Sequence, residues 1–150
     1  MEYCSVVWSP HYVGANNRIE NLQKNFLKFL NYNGNDSVSY DDLCEKFNIS
    51  KLSVRRKLSS VLFCYDLLTN RIDSPELLAQ INLHCPVRIF RSNEFVRPVR
   101  HATNYLKFNP INSMQMNFNT VQELFDFDCV NRNSFKNSVL ILLSQGSFLR

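Results

Sequence analysis

Glycine and proline are scarce in this chain, with 3 and 5 copies in 150 residues, and charged residues make up only 20%. So few glycines exclude a glycine-rich phosphate loop, and the low content of both residues excludes collagen-like or linker-like sequence. The 45% of hydrophobic and 13% of aromatic residues exclude a disordered chain. A chain of this length buries roughly 70% of the surface that it exposes when unfolded. We therefore expect one globular domain.

Paired cysteine motifs are also missing. The five cysteines are an odd number without C-x-x-C spacing, which favours reduced, buried thiols. The adjacent pair His84 and Cys85 has no second pair to complete a zinc tetrahedron, so we expect no metal site and no cofactor. The cysteines are Cys4, Cys44, Cys64, Cys85 and Cys129.

Long hydrophobic runs are absent as well. The longest, Val139 to Leu143, falls far short of the roughly 18 residues that a membrane span needs. The first three residues, Met1 to Tyr3, begin no signal peptide. We expect an intracellular protein, cytoplasmic or nuclear, with no membrane partner.

Apolar residues at steps of three and four predict a mainly α-helical fold. The expected architecture is a small helical bundle over residues 1–81, a basic extended arm over 82–109 with room for one short hairpin, and two C-terminal helices within 110–150. Serine residues provide candidate N-caps, and Pro75 stands at a favourable first helical position. The predicted helices cover 17–30, 40–47, a stretch from Ser50 or Ser53 to Leu68, 75–81, 111–118 and 134–144.

The opening of the chain is apolar from Tyr3 to Trp8, which predicts a short helix end or a buried strand. Trp8, Tyr3 and Tyr12 are close in sequence. Aromatic rings of this kind can stack on bases, but next to an apolar helix they more often belong to the core. We expect a core cluster here.

Positive charge is concentrated in one stretch. Between His84 and Lys107 there are five basic residues and one acidic residue, so this stretch accounts for the whole net charge of +4. Its arginines alternate with Phe90, Phe95 and Tyr105, a composition that suits phosphate contacts and base stacking. The alternative is a solvated loop with ordinary surface arginines. The candidate nucleic-acid contacts of the arm are Arg88, Arg91, Arg97 and Arg100.

A second basic cluster, Arg55, Arg56 and Lys57, lies at the start of a predicted helix. Positive charge in a first turn opposes the helix dipole and needs a compensating partner. A nucleic acid or another acidic partner would supply one.

Catalytic motifs are lacking. The chain has no G-x-S-x-G and no phosphate loop. Tyr40-Asp41-Asp42 lacks the spacing of a polymerase Y-x-D-D motif, and we interpret the two acids as the first turn of a helix. The three histidines are far apart in sequence, which favours structural roles. We expect no catalytic residues and no enzyme activity of this chain on its own.

Taken together, these residues resemble the region that follows the palm in reverse transcriptases of non-LTR retrotransposons, the jockey-like LINE elements. The resemblance runs in order along nearly the whole chain. Its strongest segments are Glu2–Pro10, Asn17–Leu30, Arg55–Leu68, Ile72–Leu78, Thr103–Tyr105, Asn109–Asn112 and Asn133–Lys136, with Arg88, Arg91, Phe95 and Arg100 in the arm. Ala102, Leu106 and Ser113 depart from the family, which usually has Arg, Gly and Arg at these positions.

The resemblance implies a thumb-like fragment of an RNA-directed DNA polymerase, without the catalytic palm or the endonuclease. Its expected role is to grip a primer–template duplex or RNA–DNA hybrid without reading its sequence. The missing palm would be its partner in the parent protein. The alternative is a short transposon-derived protein that acts as a protein-interaction or structural module, or that has no selected function.

Overall fold

The computed structural model describes residues 2–32, 38–84, 94–100, 102–125 and 131–144. Within these ranges the chain forms eight α-helices and a short 3-10 helix at Gln122–Leu124, so the predicted helical bundle is confirmed. The helices are α1 (Ser5–Trp8), α2 (Val13–Leu30), α3 (Tyr40–Lys46), α4 (Leu52–Leu68), α5 (Pro75–Leu78), α6 (Asn104–Lys107), α7 (Pro110–Asn119) and α8 (Arg132–Ser144).

Helix α4 is the centre of the bundle and packs against α1, α2, α7 and α8. Ten of its seventeen residues are buried, and they lie on every side of the helix. A helix that is surrounded by partners buries more than one stripe. The side chains that were predicted to face the core, such as Leu58 and Val61, are therefore only part of its buried surface.

Aromatic side chains join α4 to the C-terminal helices. The ring of Tyr65 stacks on Phe135 of α8, with centroids 4.7 Å apart, and Phe118 of α7 meets Phe125 edge-on at 5.2 Å. The core cluster takes residues from all three predicted segments, including Val96 of the arm. Each large side chain that is fully buried contributes about 1.5–3 kcal/mol.

A bidentate ion pair also connects α4 to α8. Arg132 Nε lies 2.8 Å from Asp66 Oδ1, and Arg132 Nη2 lies 2.9 Å from Asp66 Oδ2. The hydrogen bonds to Asp66 raise the pKa of Arg132. Parallel N–H···O contacts of this type fix geometry as well as charge, so the pair sets how α8 lies on α4.

Helix α2 buries a different face from the apolar one. Its buried residues are Gln23 and Leu27, whereas Leu22, Phe26 and Phe29 are more than half exposed. At about 100° per residue, the apolar stripe is rotated roughly a quarter of a turn from the buried stripe. The periodicity predicted the helix correctly, but its apolar face has no partner within the described ranges.

The predicted aromatic core at the start of the chain is wrong. Tyr3 is 89% exposed, Tyr12 is 63% exposed and Trp8 is 40% exposed. The indole N–H of Trp8 donates to the Tyr3 carbonyl at 2.6 Å. Segment 5–8 is a one-turn helix that buries only Ser5, so the rings remain at the surface.

Two further predictions need correction. The arm is not extended throughout, because α6 forms one helical turn within 104–107. The cysteines are not all buried: burial raises the pKa of Cys64 to about 12, whereas Cys4 is exposed and Cys44 is half-buried. Cys85 and Cys129 lie outside the described residues.

Across the described ranges, no helix is both long enough and apolar enough to cross a membrane. The same ranges contain no group of three His, Cys, Asp or Glu side chains placed to hold a metal ion.

Candidate nucleic-acid interface

Residues 94–100 are one of the described parts of the arm (82–109). They form an extended segment that is held by backbone hydrogen bonds. Arg97 N–H donates to the Asn82 carbonyl at 2.8 Å, and His84 N–H donates to the Phe95 carbonyl at 2.9 Å. Between them, Leu83 and Val96 form an isolated antiparallel bridge. The segment therefore has a fixed register against residues 82–84.

Side-chain amides complete the attachment of this segment. Asn119 Oδ1 accepts from the Val96 N–H at 3.1 Å, and Asn119 Nδ2 donates to the Val96 carbonyl at 2.6 Å. Gln122 Oε1 accepts from the Phe95 N–H at 2.7 Å. Since Val96 is fully buried, its backbone groups need partners inside the protein. Sequence reasoning missed both amides, because neutral polar residues in or near a helix carry no distinctive pattern.

Asn112 connects two parts of the arm, the segment that contains Val99 and helix α6. Its Nδ2 donates to the Val99 carbonyl at 3.4 Å and to the Leu106 carbonyl at 3.1 Å. Its own N–H donates to Asn109 Oδ1 at 2.7 Å, which caps the start of α7. Asn112 therefore places Val99 beside α6. Sequence reasoning also missed this role of Asn112.

We call the exposed pair Arg97 and Arg100 the arm surface. Tyr105 and Lys107 of α6 are exposed as well, and the Lys107 ammonium lies 5.3 Å from the centroid of the Phe108 ring. Arg97 and Arg100 line a shallow pocket with Asn82, Pro98 and Val99, without an acidic side chain among these described residues. Guanidinium and ammonium groups bind phosphate, and an exposed ring stacks on a base.

The other predicted arm residues have different placements. Arg88, Arg91 and Phe90 lie outside the described residues. Phe95 packs inward, with its ring centroid 5.7 Å from that of Phe125 and 6.1 Å from that of Phe118. Its role is in the core, so it offers no stacking platform.

The two arginines of the second basic cluster are engaged within the protein. Arg55 pairs with Glu2 at 2.5 Å and donates to Gln23 Oε1. Arg56 is only 3% exposed, and its guanidinium donates to the Leu52 carbonyl and to Asn16 Oδ1. Lys57 is exposed. Of these three residues, Lys57 is the exposed one, Arg55 is partly exposed and paired, and Arg56 is buried.

Glu20 of α2 explains why a basic first turn is tolerated at this position. Its Oε1 and Oε2 accept from the Leu52 and Ser53 N–H groups, each at 2.9 Å. A carboxylate at a helix N-terminus offsets the unfavourable dipole and satisfies free amides. The compensating acid that the sequence called for therefore comes from within the chain.

Tyr40 extends this network, since its hydroxyl donates to Glu20 Oε1 at 2.6 Å. Burial, with the hydrogen bond to Glu20, raises the pKa of Tyr40 well above its ordinary value. Asp41 lies in the first turn of α3 and pairs with Lys51 at 2.7 Å. These groups take part in contacts between helices.

Two of the three histidines lie among the described residues. The His11 ring stacks on Phe108, with centroids 4.3 Å apart, and His84 is half-buried beside the arm. His101 lies outside the described residues. No protein-family model, curated protein or solved structure matches this chain.

Proposed function

We propose that this chain is a thumb-like part of a non-LTR retrotransposon reverse transcriptase, and that it grips a nucleic-acid duplex through its phosphate backbone. The observation that carries the proposal is the arm surface. Its arginines are exposed, and their side chains form no ion pair with any described residue.

A firm backbone attachment makes these charges suitable for positioning a duplex. Val96, next to Arg97, is fully buried and hydrogen-bonded through both backbone groups. Arginines on an ordered segment lose less conformational entropy on binding than arginines on a free loop. Arg88 and Arg91 belong to the same basic stretch in sequence and extend the proposed contact.

The second proposed contact is reduced to one residue. Arg55 and Arg56 donate to groups within the protein, so a phosphate would have to displace those groups. Lys57 is exposed and remains available. Phosphate contacts of this kind fix orientation without reading bases, and we expect no sequence preference.

The exposed apolar stripe on α2 supports a missing partner domain. Leu22, Phe26 and Phe29 lie on one face and are 54%, 56% and 74% exposed. Proteins that act as monomers seldom expose large contiguous apolar patches. In the proposed parent protein, the palm would cover this stripe and would supply the catalytic acids.

Binding to an RNA–DNA hybrid at increasing salt tests the grip. Each phosphate contact adds about 0.9 to the magnitude of the slope of log affinity against log salt, so four contacts predict a slope near −3.6 between about 50 and about 200 mM salt. Hybrids of unrelated sequence should bind equally, and the pure chain should not extend a primer. Salt-independent binding, or template copying by the chain alone, would contradict the proposal.

The coding sequence upstream of Met1 tests the parentage separately. An in-frame segment with an aromatic residue, a spacer and two aspartates would identify a polymerase palm. If no reading frame upstream encodes such a segment, even interrupted by stop codons, the parentage is wrong whatever the chain binds.

A protein-interaction module is the second candidate, and the α2 stripe favours it. Replacing Phe26 and Phe29 with serine should then abolish partner binding and leave hybrid affinity unchanged. If the chain binds a protein through this stripe and has no salt-dependent affinity for hybrids, this second function is the correct one.

A further inference from the structure

A cleft of about 270 Å³ opens between α1, the start of α4 and the start of α7. Its lining includes the polar side chains of Ser5, Arg56 and Lys57 and the apolar side chains of Phe108 and Met116. The arm surface lies elsewhere, since neither Arg97 nor Arg100 lines this cleft. The volume is just below the roughly 300–1,000 Å³ of small-molecule pockets.

Two polar groups of this cleft are buried without partners. Arg56 is 3% exposed, and its Nη1 has no hydrogen-bond partner among the described residues. Ser5 is 2% exposed, and its Oγ has none either. Buried polar groups are almost always satisfied, and a bound anion or an ordered water in this cleft would satisfy both of these groups.

The charge of Arg56 is only partly balanced. Its Nε and Nη2 donate to neutral acceptors, the Leu52 carbonyl and Asn16 Oδ1. Burial lowers the pKa of Arg56, and Glu20 opposes that shift from a distance. The Glu20 carboxylate, however, already accepts hydrogen bonds from two α4 amides and from Tyr40. A buried arginine usually has a carboxylate or phosphate in direct contact.

Nothing negative offsets this charge inside the cleft. Among the described residues that line it none is acidic, and Lys57 adds a second cation next to Arg56. Two cations with a serine hydroxyl match a doubly charged tetrahedral oxyanion better than a single carboxylate.

We propose that this cleft binds the phosphate group of a small phosphorylated molecule. Arg56 Nη1, Ser5 Oγ and Lys57 Nζ donate to the phosphate oxygens, and the rest of the molecule lies against Phe108 and Met116. Because Nη1 and Oγ are themselves buried, the lining side chains must move slightly to admit the ligand. This site goes beyond the proposed grip on a duplex: it shares Lys57 with that proposal, but it does not involve Arg97 or Arg100.

Inorganic phosphate and glycerol phosphate are suitable probes, with acetate and chloride at matched ionic strength as controls. Titration calorimetry and thermal unfolding of the full chain should show saturable binding and a raised Tm for both phosphates. Acetate and chloride should have much smaller effects. Phosphate that acts no better than chloride, or acetate that acts as well as phosphate, would overturn the proposal.

Variants assign the binding to the cleft. Arg56→Met removes an incompletely paired buried cation at similar length, and Lys57→Met changes an exposed residue, so we expect both to fold. Each should weaken phosphate binding roughly tenfold or more, because each loses a charge-assisted hydrogen bond. The double variant Lys28→Met, Lys136→Met removes two exposed cations outside the cleft and should bind phosphate like the unaltered chain.

The Lys57 variant keeps the test decisive if the Arg56 variant does not fold. Full phosphate affinity in Lys57→Met would place the anion outside this cleft and refute the assignment. Equal losses in Lys57→Met and in the double variant Lys28→Met, Lys136→Met would indicate a general charge effect, which also refutes it.

Discussion

The two basic clusters of this chain, one at the start of α4 and one on the arm, differ in where their donors point. At the start of α4, Arg55 and Arg56 donate to residues from the N-terminal segment and α2. On the arm, Arg97 and Arg100 are exposed and have no such partners within the described ranges. A basic cluster in the sequence therefore forms a positively charged surface where neighbouring helices leave its side chains without acceptors, as on the arm.

The partners of each backbone explain the contrast. The start of α4 receives a carboxylate, Glu20, which accepts hydrogen bonds from two backbone amides there and partly offsets the charge of the buried Arg56. The arm receives neutral amides from Asn112, Asn119 and Gln122, which satisfy its backbone. These amides bring no charge, and Arg97 and Arg100 remain turned toward solvent.

The largest effect that we predict comes from removing the acid at the start of α4. Glu20→Ala should lower the free energy of unfolding by about 3 kcal/mol, because two α4 amides and the Tyr40 hydroxyl lose their acceptor. Urea denaturation measures the change. Glu45→Ala removes an exposed acid from α3 and serves as the matched control. Equal losses in the two variants would show that Glu20 is not a cap.

A smaller loss should follow when the arm loses its amide. Asn119→Ala leaves both backbone groups of the buried Val96 without their side-chain partner, and should lower the free energy of unfolding by about 2 kcal/mol. The Val96 amide should also exchange its hydrogen faster. The exposed Asn104→Ala should change stability by less than about 0.5 kcal/mol. An unchanged exchange rate at Val96 would mean that another contact holds the arm.

The smallest predicted effect on stability compares one arginine from each basic cluster. Arg55→Met should lower the free energy of unfolding by about 1 kcal/mol, because Gln23 and Glu2 lose a donor in a partly exposed site. Arg97→Met should change it by less than about 0.5 kcal/mol. Denaturation of both variants in the same buffer provides the comparison. A larger loss for Arg97 than for Arg55 would reverse our assignment of buried and free cations.

Much of the fold could be predicted from local pattern. The periods of three and four predicted α2, α4, α7 and α8 to within a few residues. They did not predict which face of α2 is buried, because Gln23 and Glu20 face α3 and α4 through hydrogen bonds, while the apolar stripe faces outward. The period of apolar residues predicts an amphipathic helix, but it does not show whether the chain contains a partner for the apolar face.

The candidate site could be predicted only in part. The excess of arginine was visible in the sequence, and Arg97 and Arg100 are exposed as a contact surface requires. The guanidinium of Arg56 donates to Asn16, which lies forty residues earlier in the chain, so its burial could not be predicted locally. The side-chain amides that hold the arm belong to Asn112, Asn119 and Gln122, and asparagine and glutamine occur in many structural roles. Such long-range pairings follow from the tertiary fold and leave no local pattern.

The salt dependence of hybrid binding tests the central claim most directly, namely that the arm arginines, and not Arg55 and Arg56 of α4, contact the duplex. The double variant Arg97→Gln, Arg100→Gln should reduce the magnitude of the slope by about 1.8, since two phosphate contacts are lost. Arg55→Gln removes a cation of the other cluster and should leave the slope unchanged. An unchanged slope in the arm variant, or a reduced slope in Arg55→Gln, would contradict the account.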